Sequence, residues 1–307
     1  MNDSYQLLII GGGPAGLTAG LYATRARLST LLIDKGMPGG QIVNAELVEN
    51  YPGFPEGISG MELASLMERQ AVKYGLEVAM AEVTGADLAG GDRVVHTGEG
   101  SYRAGALIIA AGSEHSKLGV PGEEGLRGKG VSYCATCDGA FFRDQVVAVV
   151  GGGNVALNDA LFLTRFASKV IVIHRRDQLR ATKILQERAF AQPKIEFLWD
   201  TVVKSIDGDG RVGTLRTANV KTGEESVLET TGVFIAVGLR PNTGYLQGVL
   251  ALTPEGFILV NGRMETDVPG VYAAGDIRAG SPRQVSSAVG DGAVAAISAE
   301  GYLSSLG

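Results

Sequence analysis

Two cysteines occur in the whole chain, Cys134 and Cys137, separated by Ala135 and Thr136 and followed by Asp138 and Gly139. That spacing lets two thiols close into a small-ring disulfide or share a metal ion, so the motif by itself admits two chemistries. Structural zinc takes about four ligands. The chain offers one Cys-x-x-Cys and three scattered histidines, His96, His115 and His174, and no metal site is expected. A carboxylic acid beside the pair suits another task, since Asp138 can give and take the proton of a thiol that becomes a thiolate. The residues predict a redox dithiol in which Cys134, Cys137 and Asp138 are catalytic.

A dithiol needs a source of electrons, and two glycine-rich stretches could hold one. The apolar run Tyr5 to Ile10 leads into Gly11-Gly12-Gly13-Pro14-Ala15-Gly16 and then a helical pattern through Leu17 and Leu21. In Gly11-x-Gly13-x-x-Gly16 the first glycine permits a tight turn and the second lets backbone approach a pyrophosphate. The third lets the helix pack on the strand, with phosphate at the helix N-terminus. Leu31-Leu32-Ile33-Asp34 is a second strand whose terminal carboxylate, eighteen residues after Gly16, can accept a ribose 2′-hydroxyl.

The unit recurs. A shift of 140 positions carries Gly11 onto Gly151, Gly13 onto Gly153 and Gly16 onto Ala156, with Leu21, Thr24 and Arg25 falling on Leu161, Thr164 and Arg165. Val146 to Val150 supplies the strand before Gly151-Gly152-Gly153-Asn154-Val155-Ala156. Asp34, however, aligns with His174, which opens His174-Arg175-Arg176, and Arg180 follows. A carboxylate repels a 2′-phosphate, whereas guanidinium groups pair with it. The first turn is therefore expected to take an unphosphorylated adenosine ribose, and the second NADPH. Two dinucleotide sites in one chain imply electron transfer between them.

The rest of the chain must position these parts. At 307 residues two domains are the natural expectation. Forty-five glycines, without any collagen-like period, mark many tight turns and close approaches. A net charge of -6 argues against nucleic-acid binding. The first residues lack a basic signal region, and Leu7 to Ile10 is too short to span a membrane, so a cytoplasmic, unanchored protein is expected. An amphipathic helix is predicted from about Gly60 to Tyr74, short strands between Val78 and Tyr102, and a buried strand from Ala106 to Gly112. Gly232 to Gly238 has the same buried character, and Lys194 to Val227 reads as strand-rich. Beyond Pro241, the strand Val271 to Asp276 and a helix from Ser281 to Gly301 fit the first domain. The expectation is an α/β protein of two Rossmann-like, three-layer ββα domains. Residues 1–114 and 243–307 form the outer domain, built around the first dinucleotide turn, and 115–242 an inserted NADPH-binding domain that also carries the cysteines. Gly or Pro at both crossings would permit a hinge.

With the glycine turns, Cys134 to Gly139, His174-Arg175-Arg176 with Arg180, and Ala273-Ala274-Gly275-Asp276 in order, nearly the whole chain resembles bacterial thioredoxin reductases of the low-molecular-weight type. The resemblance implies a homodimeric thioredoxin-disulfide reductase with FAD, NADPH and a thioredoxin or related small redoxin as acceptor. Related flavin disulfide reductases, or dithiol oxidases serving another redoxin, a peroxiredoxin system or oxygen, are the alternative. By position, the resemblance places Gly11, Gly13, Pro14, Ala15, Gly16, Asp34, Gly40, Gln41, Asn50, Ala111, Gly112, Gly275 and Asp276 at the FAD. Arg283, Gln284 and Val285 bring a helix N-terminus to the flavin, where its positive end stabilises negative charge. Gly151, Gly153, Asn154, Val155, Ala156, His174, Arg175, Arg176 and Arg180 fall at the NADPH. The family commonly has acidic residues just after the second glycine turn, where this chain has Asn158-Asp159. The resemblance also suggests that Cys137 lies nearer the flavin and that Cys134 is the more exposed thiol.

Overall fold

The computed structural model describes residues 4–45 and 47–306. The chain divides into two compact units, one built from the chain up to Glu114 and from Arg240 onward, the other from His115–Leu239. The return crossing thus lies just upstream of Asn242-Thr243.

In chain order the first unit lays down β1 (Ser4–Ile10), α1 (Pro14–Arg25), β2 (Thr30–Asp34), α2 (Gly60–Lys73), β3 (Glu77–Met80), β4 (Val83–Asp87), β5 (Arg93–Thr97), β6 (Gly100–Ile109) and β7 (Ser113–His115), the last running into the crossing. The second unit holds β8 (Val131–Ser132), α3 (Ala135–Asp138), β9 (Val146–Val150), α4 (Asn154–Leu163), β10 (Lys169–Ile173), α5 (Lys183–Phe190), β11 (Ile195–Leu198), β12 (Thr201–Asp207), β13 (Thr214–Asn219), β14 (Glu225–Glu229) and β15 (Gly232–Ile235). β16 (Leu239–Pro241) forms the return crossing and pairs with β7 in a two-stranded ribbon. The first unit is completed by β17 (Val271–Ala273) and α6 (Val285–Ser304).

Strand order in the first sheet is β3-β2-β1-β6-β5-β4, with β17 also on β6. β6 is long enough to serve twice. Its Leu107–Ile109 end runs parallel between β1 and β17, while its Gly100–Ala104 end pairs antiparallel with β5. Side chains alternate faces along a strand. Leu8, Ile10, Leu31, Ile33, Leu107 and Ile109 accordingly fill the core on one face, and Leu7, Ile9, Leu32 and Ile108 meet α1 and α6 on the other. Each such burial contributes about 2 kcal/mol. α2 begins where Ser59 accepts the backbone N–H of Glu62, which caps the helix predicted from its apolar spacing.

The second unit repeats the plan with a parallel sheet in the order β11-β10-β9-β15-β8 and an antiparallel β12-β13-β14 sheet. Val147, Val149, Val172 and Phe234 pack under α4, and Ala148, Val150, Ile171 and Ile173 fill the opposite face. Fully parallel strands covered on both sides explain the near-continuous Val and Ile runs in the sequence.

Candidate functional site

In the first unit Gly11 has φ +103°, and a Cβ there would lie 2.4 Å from the Ala110 carbonyl oxygen, so the turn tolerates only glycine. Gly16 allows α1 to sit on the turn, because a Cβ would meet Gly11 O at 1.8 Å. Gly13 is the N-cap of α1 and supplies no side-chain acceptor, and a Cβ on it would find only Gly40 Cα, at 3.9 Å. The start of α1 thus has no side-chain cap, the arrangement that suits an anion. Pro14 and Ala15 begin the helix, where the fixed φ of proline costs nothing.

Asp34 ends β2 beneath this turn. Its Oδ2 accepts the Gly12 N–H at 2.5 Å and Oδ1 accepts the Gly36 N–H at 2.9 Å. Gly40, in the left-handed region at φ +62°, brings its backbone against Gly13, and Gln41 follows, exposed. Ala111 and Gly112, just past β6, are held by the Asn242 side chain and backbone N–H.

The distant Asp276 and α6 residues assemble in the same unit. Gly275 has φ +79° and lies against Ala15. Asp276 Oδ1 accepts the Ser281 hydroxyl at 3.2 Å, and Ser281 Oγ accepts the Arg283 N–H. Burial pushes the Asp276 carboxyl up, while Ser281 and Arg283 draw it down. Asn50 and Gln284, far apart in sequence, meet at 3.1 Å. Arg283 stacks over Phe257 at 5.4 Å, and its Nε is buried without a hydrogen-bond partner. Val285 then begins α6, later than the Ser281 start expected, because Arg283 sits at φ +59° and Ser281 is drawn to Asp276. Arg278 and Asp291 form a bidentate pair at 2.6 and 2.9 Å, and Asp291 also accepts the Gly275 N–H.

In the second unit Gly151 has φ +152°, and a Cβ would lie 2.5 Å from Ala236 O. Gly153 caps α4 with nothing within 4 Å of a Cβ, and Val155 is exposed while Ala156 is buried. Asn154 Oδ1 accepts the Thr182 N–H, and Gly152 O accepts the N–H groups of Arg180 and Ala181, so the arginine segment is stitched to the turn. Arg175, Arg176 and Arg180 are exposed. His174 is not. Its ring is buried against Gly152, its Nε2 bonds Gln178 O at 3.1 Å, and burial with the three arginines lowers its pKa. It stands neutral under the turn and supplies packing rather than charge. Asp159 on α4 is pushed up to about 7 by burial.

The cysteines lie in the second unit, joined as a disulfide at the start of α3. Cys134 is the N-cap, its Sγ accepting the Cys137 N–H at 3.2 Å. Cys134 is half-buried and Cys137 exposed, the reverse of the expected order, because the capping sulfur turns in toward its own helix. Burial raises the Asp138 carboxyl, and the Ser132 hydroxyl, 2.6 Å from Oδ2, lowers it. Tyr133, next to Cys134, donates to Glu123, a buried carboxylate that also accepts the N–H groups of Leu118 and Gly119.

Sequence reasoning missed Ser132, Glu123, Asn242, Ser281 and the Arg278–Asp291 pair. Only Ser132 carried a local signal, a hydroxyl two residues before Cys134. Among the described residues, no group of three or more His, Cys, Asp or Glu gathers to hold a metal ion, and no helix is long and apolar enough to cross a membrane.

A family model described as pyridine nucleotide-disulphide oxidoreductase matches residues 5–292. The chain is 50% identical over 303 residues to a thioredoxin reductase of Bacillus subtilis (strain 168), with 98% of this chain and 96% of that protein covered. It is 47% identical over 309 residues to a thioredoxin reductase of Streptomyces coelicolor, with 100% and 96% covered. Among solved structures, thioredoxin reductase from Streptococcus pyogenes MGAS5005 gives a TM-score of 0.96 at 49% identity, covering 99% of this chain and 100% of that one.

Proposed function

This chain belongs to the pyridine nucleotide-disulphide oxidoreductase family, and we propose that it is a cytoplasmic, homodimeric thioredoxin-disulfide reductase that uses FAD and NADPH. The observation that carries this reading is the Cys134–Cys137 disulfide with Asp138, on the unit that also holds an arginine-flanked glycine turn. FAD and NADPH, when bound, supply the hydride and two-electron chemistry that reduces the disulfide.

The residues fit both groups. Uncapped N-termini at α1 and α4, each with open space at its second glycine, suit two pyrophosphates. In the first unit Gly11 to Gly16, Asp34, Gly40, Asp276 and the Arg283–Val285 helix start would hold FAD, and the orphaned Arg283 Nε is a donor in search of an acceptor. In the second unit Gly151 to Ala156 would hold the NADPH pyrophosphate, and Arg175, Arg176 and Arg180 its 2′-phosphate. His174 fixes the strand end from which those arginines project.

The chain's own chemistry is thiol–disulfide exchange. Two electrons break the Cys134–Cys137 bond. A thiolate of the pair attacks the partner disulfide, whose S–S bond breaks as a mixed disulfide forms. The second thiol then attacks that mixed disulfide, the Cys134–Cys137 bond closes, and the partner leaves as a dithiol. Asp138, kept protonatable by burial, exchanges protons with the pair.

Anaerobic titration with NADPH and then oxidised thioredoxin tests the reading, with NADH and oxygen as parallel arms. We expect the flavin to bleach with NADPH, far less with NADH, and to recover on adding thioredoxin. Recovery with oxygen but not with thioredoxin would support a dithiol oxidase instead.

A further inference from the structure

Ser132 ends β8 directly under the redox turn and is 4% exposed. Its Oγ accepts the Cys134 N–H at 3.0 Å and stands 2.6 Å from Asp138 Oδ2 and 3.3 Å from the Cys134 carbonyl oxygen. One hydroxyl thus has two acceptors in reach and one proton to donate. While Asp138 is ionised, the shorter, charge-assisted bond to its carboxylate is the stronger. Once Asp138 takes up a proton, the carboxyl becomes a donor toward Ser132 Oγ, and the serine hydrogen is free for the Cys134 carbonyl. That carbonyl also accepts the N–H groups of Cys137 and Asp138, at 3.3 and 3.1 Å, which form the first turn of the short helix carrying the disulfide.

We propose that Ser132 is a positioning residue: its hydroxyl holds the Asp138 carboxylate against the redox turn and passes its hydrogen to the Cys134 carbonyl when Asp138 is protonated. The acid's proton state is thereby tied to the helical turn that bears both sulfurs. The inference rests on the reading of Asp138 as the acid and base of the exchange reaction. α3 is flanked by β8, the 3-10 turn Gly139–Phe142 and α4. The titratable groups on or beside these elements are Asp159 on α4, the exposed Arg143 that ends the 3-10 turn, and Tyr133, which is engaged by Glu123; Cys134 and Cys137 join them only when their disulfide is reduced. The direct bond to Asp138 comes from Ser132 alone among them.

The test compares the pH dependence of thioredoxin reduction in the flavin-loaded wild type, Ser132→Ala, Ser132→Thr and Asp138→Asn. NADPH-driven flavin reduction in the same preparations reports intact folding and cofactor binding. We expect Asp138→Asn to lose one limb of the profile and Ser132→Ala to move that limb up by about one pH unit, a tenfold change in the acid equilibrium, because a hydrogen bond to the charged form is lost. Ser132→Thr, which keeps the hydroxyl, should restore the limb. An infrared titration of the Asp138 carboxyl band in Ser132→Ala reads the same shift without turnover. A limb that vanishes in Asp138→Asn but does not move in Ser132→Ala overturns the role of Ser132 alone. A limb that survives in Asp138→Asn overturns the reading of Asp138, and the present inference with it.

Discussion

The two glycine turns share a backbone and differ in what props them from below. Gly11 and Gly151 donate to Ile33 O and Ile173 O, residues the same 140 positions apart, at 2.8 and 3.1 Å. Gly12 O and Gly152 O each accept an N–H at 2.7 Å from the segment after the next strand, Gly39 in one unit and Arg180 in the other. Beneath the middle glycine, however, lies a carboxylate in the first unit and a neutral imidazole in the second. A carboxylate beside Arg175, Arg176 and Arg180 would cancel the field they create, and an imidazolium would add to their mutual repulsion. The neutral ring keeps the prop and leaves the charge to the rim. A frame can thus be duplicated intact while the charge it presents is rewritten at one position underneath and a few around it.

The sharpest asymmetry is that only the second unit carries thiols, and Cys134→Ser should expose it most. Thioredoxin reduction should fall by about a thousandfold or more, while NADPH-driven flavin bleaching persists in stopped-flow traces. Equal loss of both steps would break the division of labour between the units. The shared frame is tested next. Gly11→Ala forces a Cβ into the Ala110 carbonyl and should cost about 3 kcal/mol of stability, with flavin lost on gel filtration, whereas Gly13→Ala meets open space and should leave thermal unfolding nearly unchanged. Gly151→Ala and Gly153→Ala should reproduce that contrast in the second unit. Arg176→Ala should then raise the KM for NADPH by about tenfold, the value of one charge-assisted contact, without changing the KM for NADH.

A further difference, felt in stability rather than in turnover, concerns Asp159, which follows the second glycine turn. Its carboxyl titrates at about 7 when folded against 3.8 for the ordinary group. Between those values the native protein holds a proton that the unfolded chain has released, so this group's contribution to stability falls as pH rises through that window and is flat above it. Asp159→Asn should be more stable than wild type above pH 7 by on the order of 2 kcal/mol, discounted for partial exposure, and the gain should vanish below about pH 4. A thermal unfolding series at several pH values measures it.

Much of this was legible because its signals are local. A strand, a glycine turn and a helix within some tens of residues define each frame, and the shifted repeat exposes both. The redox pair was legible because the chain contains no other cysteine. What stayed hidden depends on partners remote in sequence or on side-chain direction. Asn242 reaches back to Ala111, and Asp291 braces both Gly275 and Arg278, contacts without a sequence period. His174 stands in sequence beside two arginines, and only the structure shows that its ring is buried against Gly152. The exposure order of the cysteines inverts because a capping sulfur turns inward, a choice of rotamer that spacing does not encode.

The register of β17 on β6 has a consequence for how the chain is made. Val271 to Ala273 complete a sheet whose partner residues, Leu107 to Ile109, leave the ribosome far earlier, with the whole second unit synthesised in between. The second unit is one continuous stretch and can close as soon as it emerges. The first must wait with an open strand edge until the chain returns, so the unit begun first is the last to be finished.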